Sequence, residues 1–231
     1  QSNSTHASNY FHDLNIGGTT NTKTAGSDLV IKGNLLISSG TLDMAADANT
    51  LDIDGNFTLS GVSFIPYGGT HDIAGNWDDA NGTFQATDGT VTLSGGNSDI
   101  TTGGSNYFFN LEINSTGTKT ATSNLDINGV FTLTAGIFDA GSTSIDIVGD
   151  WNDSGNNGGF TPTAGTVTLS GAGSNITTGS NNNFFNLIIN SSGIKSAQSE
   201  LDINGDLTVN DGELAMGGNN GDVASGKTVT I

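Results

Sequence analysis

The sequence predicts an all-β fold: a right-handed parallel β-helix, which is a three-sided solenoid of about 11 coils with roughly 20 residues in each. Three observations lead to this prediction. A long segment of the chain is repeated, a short apolar pattern recurs along it, and glycine follows that pattern at regular places. Self-similarity of this kind indicates a solenoid because stacked short repeats bury a continuous core that no single repeat could bury alone.

The long repeat spans residues 90–129, which return as residues 166–205 at an offset of 76. Thr90–Leu93 and Thr166–Leu169, for example, both read TVTL. Sequence identity over such a length, at one fixed offset, indicates that the two segments fold in the same way.

We expect residues 1–231 to form a single β-solenoid with tandem long repeats 90–165 and 166–231 and a degenerate copy in 8–89. The chain opens in mid-repeat, since Ser8–Phe11 reads SNYF, as does the segment that ends at Phe108. Two explanations fit this open phase. The chain is either a window of a longer tandem array or a subunit that associates head to tail through its open strand edges.

Pairs of apolar residues one position apart recur inside and outside the long repeat, mostly at spacings of 20 or 22. Alternation is the period of a β-strand, so both members of a pair point to the same side, which we assign to the core. His71 takes one such inward position, where we expect a hydrogen-bonded substitute for leucine. The pairs are Leu14/Ile16, Leu29/Ile31, Leu51/Ile53, His71/Ile73, Val91/Leu93, Leu111/Ile113, Leu125/Ile127, Ile145/Ile147, Val167/Leu169, Leu187/Ile189, Leu201/Ile203 and Val229/Ile231.

Glycine commonly stands two positions after the pair, as at Gly55, Gly75 and Gly129, and predicts a corner there. A second apolar pair and a further glycine follow in several coils, so a full coil has three short strands and three corners. Stacked coils would pair equivalent strands in parallel, about 4.8 Å apart. Parallel crossover connections are strongly biased to the right hand, which gives the predicted winding.

The composition excludes some classes of partner. The chain has 35 Gly, 2 Pro, no Cys and a net charge of −18, and its positive charge is limited to five lysines without arginine. Nucleic acids and anionic membrane surfaces require clustered Lys or Arg, so we expect neither as a partner. No stretch approaches the roughly 18 apolar residues of a membrane span, so direct membrane insertion is not expected.

The coils at 51–61 and 125–136 follow the pattern Leu-x-Ile-x-Gly-x-Phe-x-Leu, ending in Gly. This pattern resembles the repeats of large secreted bacterial surface proteins, and it is similar to the right-handed β-helices of filamentous-haemagglutinin-type adhesins and autotransporter passengers. The resemblance implies an extracellular or cell-surface stalk, fibre or adhesin without catalysis. It carries over no receptor-binding motif.

Acidic residues are the candidate metal ligands. Asp78 and Asp79 follow one tryptophan, and Asp150, Asn152 and Asp153 flank the other, which resembles the oxygen-rich loops that bind Ca²⁺. Ordinary turn chemistry explains Asx-Gly clusters equally well, and no other cofactor is expected. Further carboxylates, Asp52 with Asp72 and Asp126 with Asp146, should stack outward on adjacent coils.

Aromatic residues are the candidate partner contacts. Strict alternation through Phe109, Leu111 and Ile113 would place Phe108 on the outside or at a corner. The same holds for Phe184 and for Phe11 in the degenerate copy, and these three could contact a partner surface or a polysaccharide. Packing beneath a local loop is the alternative. Trp77 and Trp151 align with core phenylalanines, so they either fill the core or stack on sugars.

A carbohydrate-binding or carbohydrate-active β-helix is the rival function. A polysaccharide lyase of this fold would need a strong base, but the chain has no arginine, and we expect Lys23, Lys32, Lys119, Lys195 and Lys227 to be solvated surface charges. A hydrolase would need two positioned carboxylates, which the abundant aspartates leave possible. We favour a non-catalytic structural protein that continues end to end into more coils.

Overall fold

The computed structural model describes residues 10–18, 21–45, 49–156 and 159–231, and within these ranges the regular structure is entirely β, without helix. The strands are β1 Leu14–Ile16, β2 Thr22–Thr24, β3 Leu29–Ile31, β4 Leu35–Ile37, β5 Thr41–Asp43, β6 Leu51–Ile53, β7 Phe57–Ile65, β8 Thr70–Ile73, β9 Trp77–Phe84, β10 Thr90–Leu93, β11 Ser98–Thr101, β12 Asn110–Ala121, β13 Leu125–Ile127, β14 Phe131–Asp139, β15 Ser144–Ile147, β16 Trp151–Asn152, β17 Thr166–Leu169, β18 Gly173–Thr177, β19 Asn186–Ala197, β20 Leu201–Ile203, β21 Leu207–Ala215, β22 Gly221–Val223 and β23 Val229–Thr230.

All the strand pairings are parallel, and they follow three ladders that we call faces A, B and C. The chain visits the faces in the order A, B, C and then begins the next coil. Face A contains β3, β6, β8, β10, the first parts of β12 and β14, β16, β18 and the last parts of β19 and β21. Face B contains β1, β4, the first parts of β7 and β9, β11 and the last parts of β12 and β14; further along the rod, β20 and β22 pair with each other on this face as a separate two-stranded sheet. Face C contains β2, β5, the last parts of β7 and β9, β13, β15, β17, the first parts of β19 and β21, and β23.

The predicted all-β parallel solenoid is confirmed, with about 10 turns. The sequence count of about 11 coils was slightly high because not every step between apolar pairs is a full turn. The step from Leu111 to Leu125 runs from face A to face C, which is two thirds of a turn. The short spacing of 14 residues between these two pairs is therefore a change of face. The right-handed winding stays a prediction.

The long repeat does not return to the face on which it started. Val91 lies on face A, where the following coils place Leu111, Phe131 and Trp151 beneath it. Its repeat equivalent, Val167, lies two faces further along, on face C. One long repeat therefore makes three turns and two thirds of a fourth. Equivalent residues of successive repeats point in different directions around the axis.

One hydrophobic core runs along the inside of the three faces. Two groups of five aromatic rings fill it at repeat-equivalent places, and Trp77 and Trp151 are fully buried in them, as the core interpretation predicted. The first group, with neighbouring ring centroids 4.3 to 5.9 Å apart, is Phe57, Phe64, Trp77, Phe84 and Phe108. The second, with separations of 4.6 to 6.0 Å, is Phe131, Phe138, Trp151, Phe160 and Phe184.

Of the two placements predicted for Phe108 and Phe184, outside or at a corner, the outward one is wrong, because both side chains are 0 % exposed. The prediction extended one strand alternation from Phe108 to Leu111, but the chain turns a corner between them. Phe108 pairs with Ile127 on face C, whereas Leu111 already lies on face A. Phe11 is 48 % exposed, so a partner contact by Phe11 alone stays a prediction.

Glycines at the corner between faces A and B allow the coils to approach closely. The Gly55 N–H donates to the Gly33 carbonyl and the Gly75 N–H to the Gly55 carbonyl, each at 2.9 Å. A Cβ atom on Gly75 would lie 2.5 Å from the Gly55 carbonyl oxygen, so a larger residue would push the coils apart. The predicted glycine corners are thus a requirement of coil spacing.

Replacing Phe184 by alanine should lower the free energy of unfolding by about 3–5 kcal/mol, because a fully buried ring leaves a cavity. The equivalent change Phe11→Ala should cost less, about 1 kcal/mol, because Phe11 is 48 % exposed. Urea unfolding followed by circular dichroism measures both. Similar small effects at the two positions would contradict the burial of Phe184.

Candidate functional site

Asp79 is the centre of a buried polar cluster that joins two successive coils. Its carboxylate accepts hydrogen bonds from Trp77 Nε1 at 2.9 Å, from Gly103 N at 2.9 Å and from Asn106 Nδ2 at 2.9 Å. The same amide side chain donates to the Asp79 carbonyl oxygen and accepts from Phe84 N at 3.1 Å. Asp79 and Asn106 are buried. The cluster thus satisfies backbone groups where the chain leaves face B.

The next long repeat contains a similar cluster, in which the carboxylate lacks the hydrogen bonds from the tryptophan and from the asparagine amide. Asp153 accepts from Gly179 N at 2.8 Å, and Asn182 accepts from Phe160 N at 3.2 Å. Trp151 Nε1 and Asp153 Oδ2 are both buried without a hydrogen bond of normal geometry, although the indole is near enough to lower the pKa of the carboxyl. Burial nevertheless dominates and raises the pKa of Asp153, as it does that of Asp79.

The five predicted calcium ligands do not converge on a common point. Asp79 and Asp153 point into the cluster, while Asp78 accepts from Ala80 N at 3.2 Å and Asn152 from Ser154 N at 3.2 Å, within their own turns. Asp150 accepts from Asn175 N in the next coil at 2.8 Å. Among the described residues, no group of three or more His, Cys, Asp or Glu side chains could hold a metal ion. The contacts of Asp78 and Asn152 are those of turn chemistry, whereas those of Asp79, Asp150 and Asp153 join one coil to the next.

The outer surface carries the stacked carboxylates that the alternation predicts. Asp52 is in register with Asp72 on face A, and Asp126 with Asp146 on face C. Burial and the neighbouring carboxylates raise the pKa values of Asp52 and Asp126. Lys32 Nζ lies 3.2 Å from Asp54 and 3.8 Å from Asp52, so it bridges part of this acidic row.

Two of the five lysines are buried, so the prediction that all of them are solvated is wrong. Lys119 and Lys195 are both 0 % exposed and point inward near corners. Lys119 Nζ donates to Ser98 Oγ at 2.7 Å and to the Ala74 carbonyl at 3.1 Å, while Lys195 Nζ donates to Ser174 Oγ at 2.8 Å and to the Gly171 carbonyl. Burial lowers the pKa of Lys119 to about 8 and also lowers that of Lys195.

His71 occupies the inward position that the sequence assigns to it. It is fully buried, and its Nε2 lies 2.9 Å from the Pro66 carbonyl, as predicted for a hydrogen-bonded substitute for leucine. Its Nδ1 is buried without a partner. Burial lowers the pKa of the ring, which favours the neutral imidazole.

A cavity of about 410 Å³ opens at the end of the described stack that contains Ile231. It is lined mainly by aliphatic side chains that would be core residues if a further coil covered them. Ile231 is 97 % exposed and Val229 is 50 % exposed beside it. At the opposite end, Tyr10 and Phe11 are also exposed. The apolar lining residues are Leu201, Ile203, Leu207, Val209, Leu214, Met216, Val223 and Ile231.

No family model, no curated protein and no solved structure matches the chain. In the part of the chain that the structure describes, no helix is long and apolar enough to cross a membrane. The functional interpretation therefore depends on the geometry of the solenoid itself.

The free energy of unfolding should respond to acid through the buried carboxyls. Because burial raises the pKa values of Asp79 and Asp153 above those of the unfolded chain, the folded state retains protons to higher pH than the unfolded state does. The stability that the protonated carboxyls contribute at low pH is therefore lost as pH rises through the folded pKa values. Asp79→Asn should remove the contribution of Asp79 to the slope of the free energy of unfolding against pH, which is at most about 1.4 kcal/mol per pH unit. Urea unfolding at several pH values between about 4 and 7 measures this slope, with Asp78→Asn as the control. An unchanged slope in Asp79→Asn would contradict the assignment.

The buried Lys119 should give the opposite response at alkaline pH. Its folded pKa of about 8 lies below the ordinary 10.5, so the folded state binds fewer protons between these values and stability rises with pH there. In wild type this raises the free energy of unfolding by about 3 kcal/mol over this pH range, and Lys119→Met should not show that rise. Lys23→Met, at the equivalent but exposed position, should behave as wild type does. The absence of any alkaline difference between Lys119→Met and wild type would contradict the burial of the amino group.

Proposed function

We propose that this chain is a non-catalytic structural β-solenoid of an extracellular fibre, filament or adhesin stalk. Its function is mechanical: the parallel ladders and the axial core form a stiff, acidic rod. Extension occurs end to end, as further coils cover the open strand edges. The continuity of face A supports this proposal most directly, because its strands are paired without interruption from Phe11 to β21.

The apolar cavity lined by residues of β20, β21 and β22 supplies the second support. Edge strands present unpaired N–H and C=O groups, and proteins normally cover them or blunt them with charge. Here the cavity beside Ile231 exposes aliphatic core positions instead. A further solenoid coil has the chemistry to fill it, because its inward residues are aliphatic and its strands would extend all three ladders. Such a coil could come from the same polypeptide or from another copy.

The faces between the ends fit a stalk better than the rival carbohydrate-binding or carbohydrate-active β-helix. Both tryptophans, which the rival would use to stack on sugars, are buried. A groove of about 320 Å³ on face A is lined by Glu112 as its one carboxylate, and this carboxylate accepts from Thr92 at 3.3 Å and from Thr134 at 2.8 Å. A hydrolase would place two carboxylates at such a groove.

End-to-end association should depend on the apolar end and not on exposed aliphatic residues along the side. Val229→Asp buries an unpaired charge in the proposed contact and should weaken association by at least about 10-fold. Ile137→Asp is the matched control, since Ile137 is 48 % exposed but lies on the side of the rod. Sedimentation velocity over a range of concentrations, with electron microscopy of the concentrated samples, measures association. A wild-type chain that stays monomeric throughout, or equal weakening by the two variants, would contradict end-to-end assembly.

A further inference from the structure

The solenoid has to choose among strands that are nearly alike. The sequence Leu-Asp-Ile occurs on face A at Leu51–Ile53, on face C at Leu125–Ile127 and on face B at Leu201–Ile203. The apolar pattern therefore fits all three faces. Because strand alternation has a period of two, a strand that shifts by two residues still points its apolar side chains inward. Hydrophobic burial alone leaves the register weakly specified.

Lys119 is one of the few inward residues that distinguishes one register from another. Its strand lies in register with β11 of the preceding coil, where Lys119 is opposite Ser98. The amino group reaches the Ser98 hydroxyl at 2.7 Å and also the carbonyl of Ala74, which belongs to the coil before that one. The side chain thus connects three successive coils from the inside of the rod.

Lys195 repeats this arrangement on another face. It lies opposite Ser174 in β18, and both residues stand 76 positions after their counterparts Lys119 and Ser98. Its amino group donates to the Ser174 hydroxyl at 2.8 Å and to the carbonyl of Gly171. Lys119 belongs to face B and Lys195 to face A, so the rotation of the long repeat distributes these lysines around the axis.

We infer that Lys119 and Lys195 fix the register of the coils, one lysine for each long repeat. A shift by two residues moves a strand by about 6.6 Å, which takes the serine hydroxyl and the carbonyl out of reach of the amino group. The amino group would then be buried without acceptors, and this is strongly unfavourable. The native register is the one that satisfies it. Register control of this kind is needed whatever the rod does in its biological setting.

A lysine that only added stability would behave differently from one that selects the register. Replacing a buried charged group by an apolar one of similar size is often neutral or stabilising, because the cost of removing the charge from water disappears. Lys119→Met should therefore keep the β-solenoid folded while it allows shifted pairing. Lys23→Met provides the matched control, since Lys23 holds the equivalent place in the degenerate copy but is exposed.

Disulfide trapping measures the register, because the chain has no cysteine of its own. Thr101 and Thr122 are outward neighbours in the native register, with their hydroxyl oxygens 2.7 Å apart. Thr101→Cys with Thr122→Cys therefore reports native pairing. Asp99→Cys with Thr122→Cys, and Thr101→Cys with Thr120→Cys, report shifts by two residues in either direction. Each pair is refolded from denaturant, oxidised and quantified by peptide mapping.

In the Lys119→Met background, the ratio of shifted to native disulfide should rise at least about 10-fold, and in the Lys23→Met background it should not change. Ser98→Ala, which removes only the hydroxyl acceptor, should give a smaller rise of the same sign. An unchanged ratio in folded Lys119→Met would overturn the inference. Loss of β-structure in Lys119→Met would overturn it too, since the lysine would then be needed for folding itself.

Discussion

The structure depends on one constraint: no strand in this chain can complete its own hydrogen bonds. The strands are parallel, so the partner of each lies one coil away, as Leu14–Ile16 finds its partner in Leu35–Ile37. An unpaired backbone group in the interior is costly, so each coil is stable only between two others. The regular spacing, the glycine corners and the continuous core all serve this mutual dependence of neighbouring coils.

The same constraint explains why a few polar groups lie inside the rod. Asp79 with Asn106 and Lys119 with Ser98 each link one coil to another through buried hydrogen bonds. Removing these charges from water raises the pKa of the aspartate and lowers that of the lysine, so the desolvation of each group offsets part of the stability that its hydrogen bonds contribute. Both contacts are specific in direction and distance, whereas aliphatic contacts are not. A solenoid made of near-identical strands gains order from a small number of such contacts.

The sequence predicted the architecture well because alternation and glycine spacing are local signals. The inward positions of Leu51, Ile53 and even His71 follow from the period of two, and the structure confirms them. The prediction for Phe108 and Phe184 was wrong where this period was extended around a corner. Lys119 was misassigned for another reason: its charge was given more weight than its place in the alternation with Ala121, which is also buried. The identical placement of Lys195 in the next repeat was the available signal.

One pair of disulfide experiments distinguishes the rotated long repeat from a repeat that completes a whole number of turns. Thr168 is in register with Asp146 on face C, so Asp146→Cys with Thr168→Cys should form a disulfide in the folded chain. If the long repeat instead completed a whole number of turns, Thr168 would return to the face of its counterpart Thr92 and stack on Asn152. In that case Asn152→Cys with Thr168→Cys would form the disulfide and the first pair would not, which would contradict the rotated repeat.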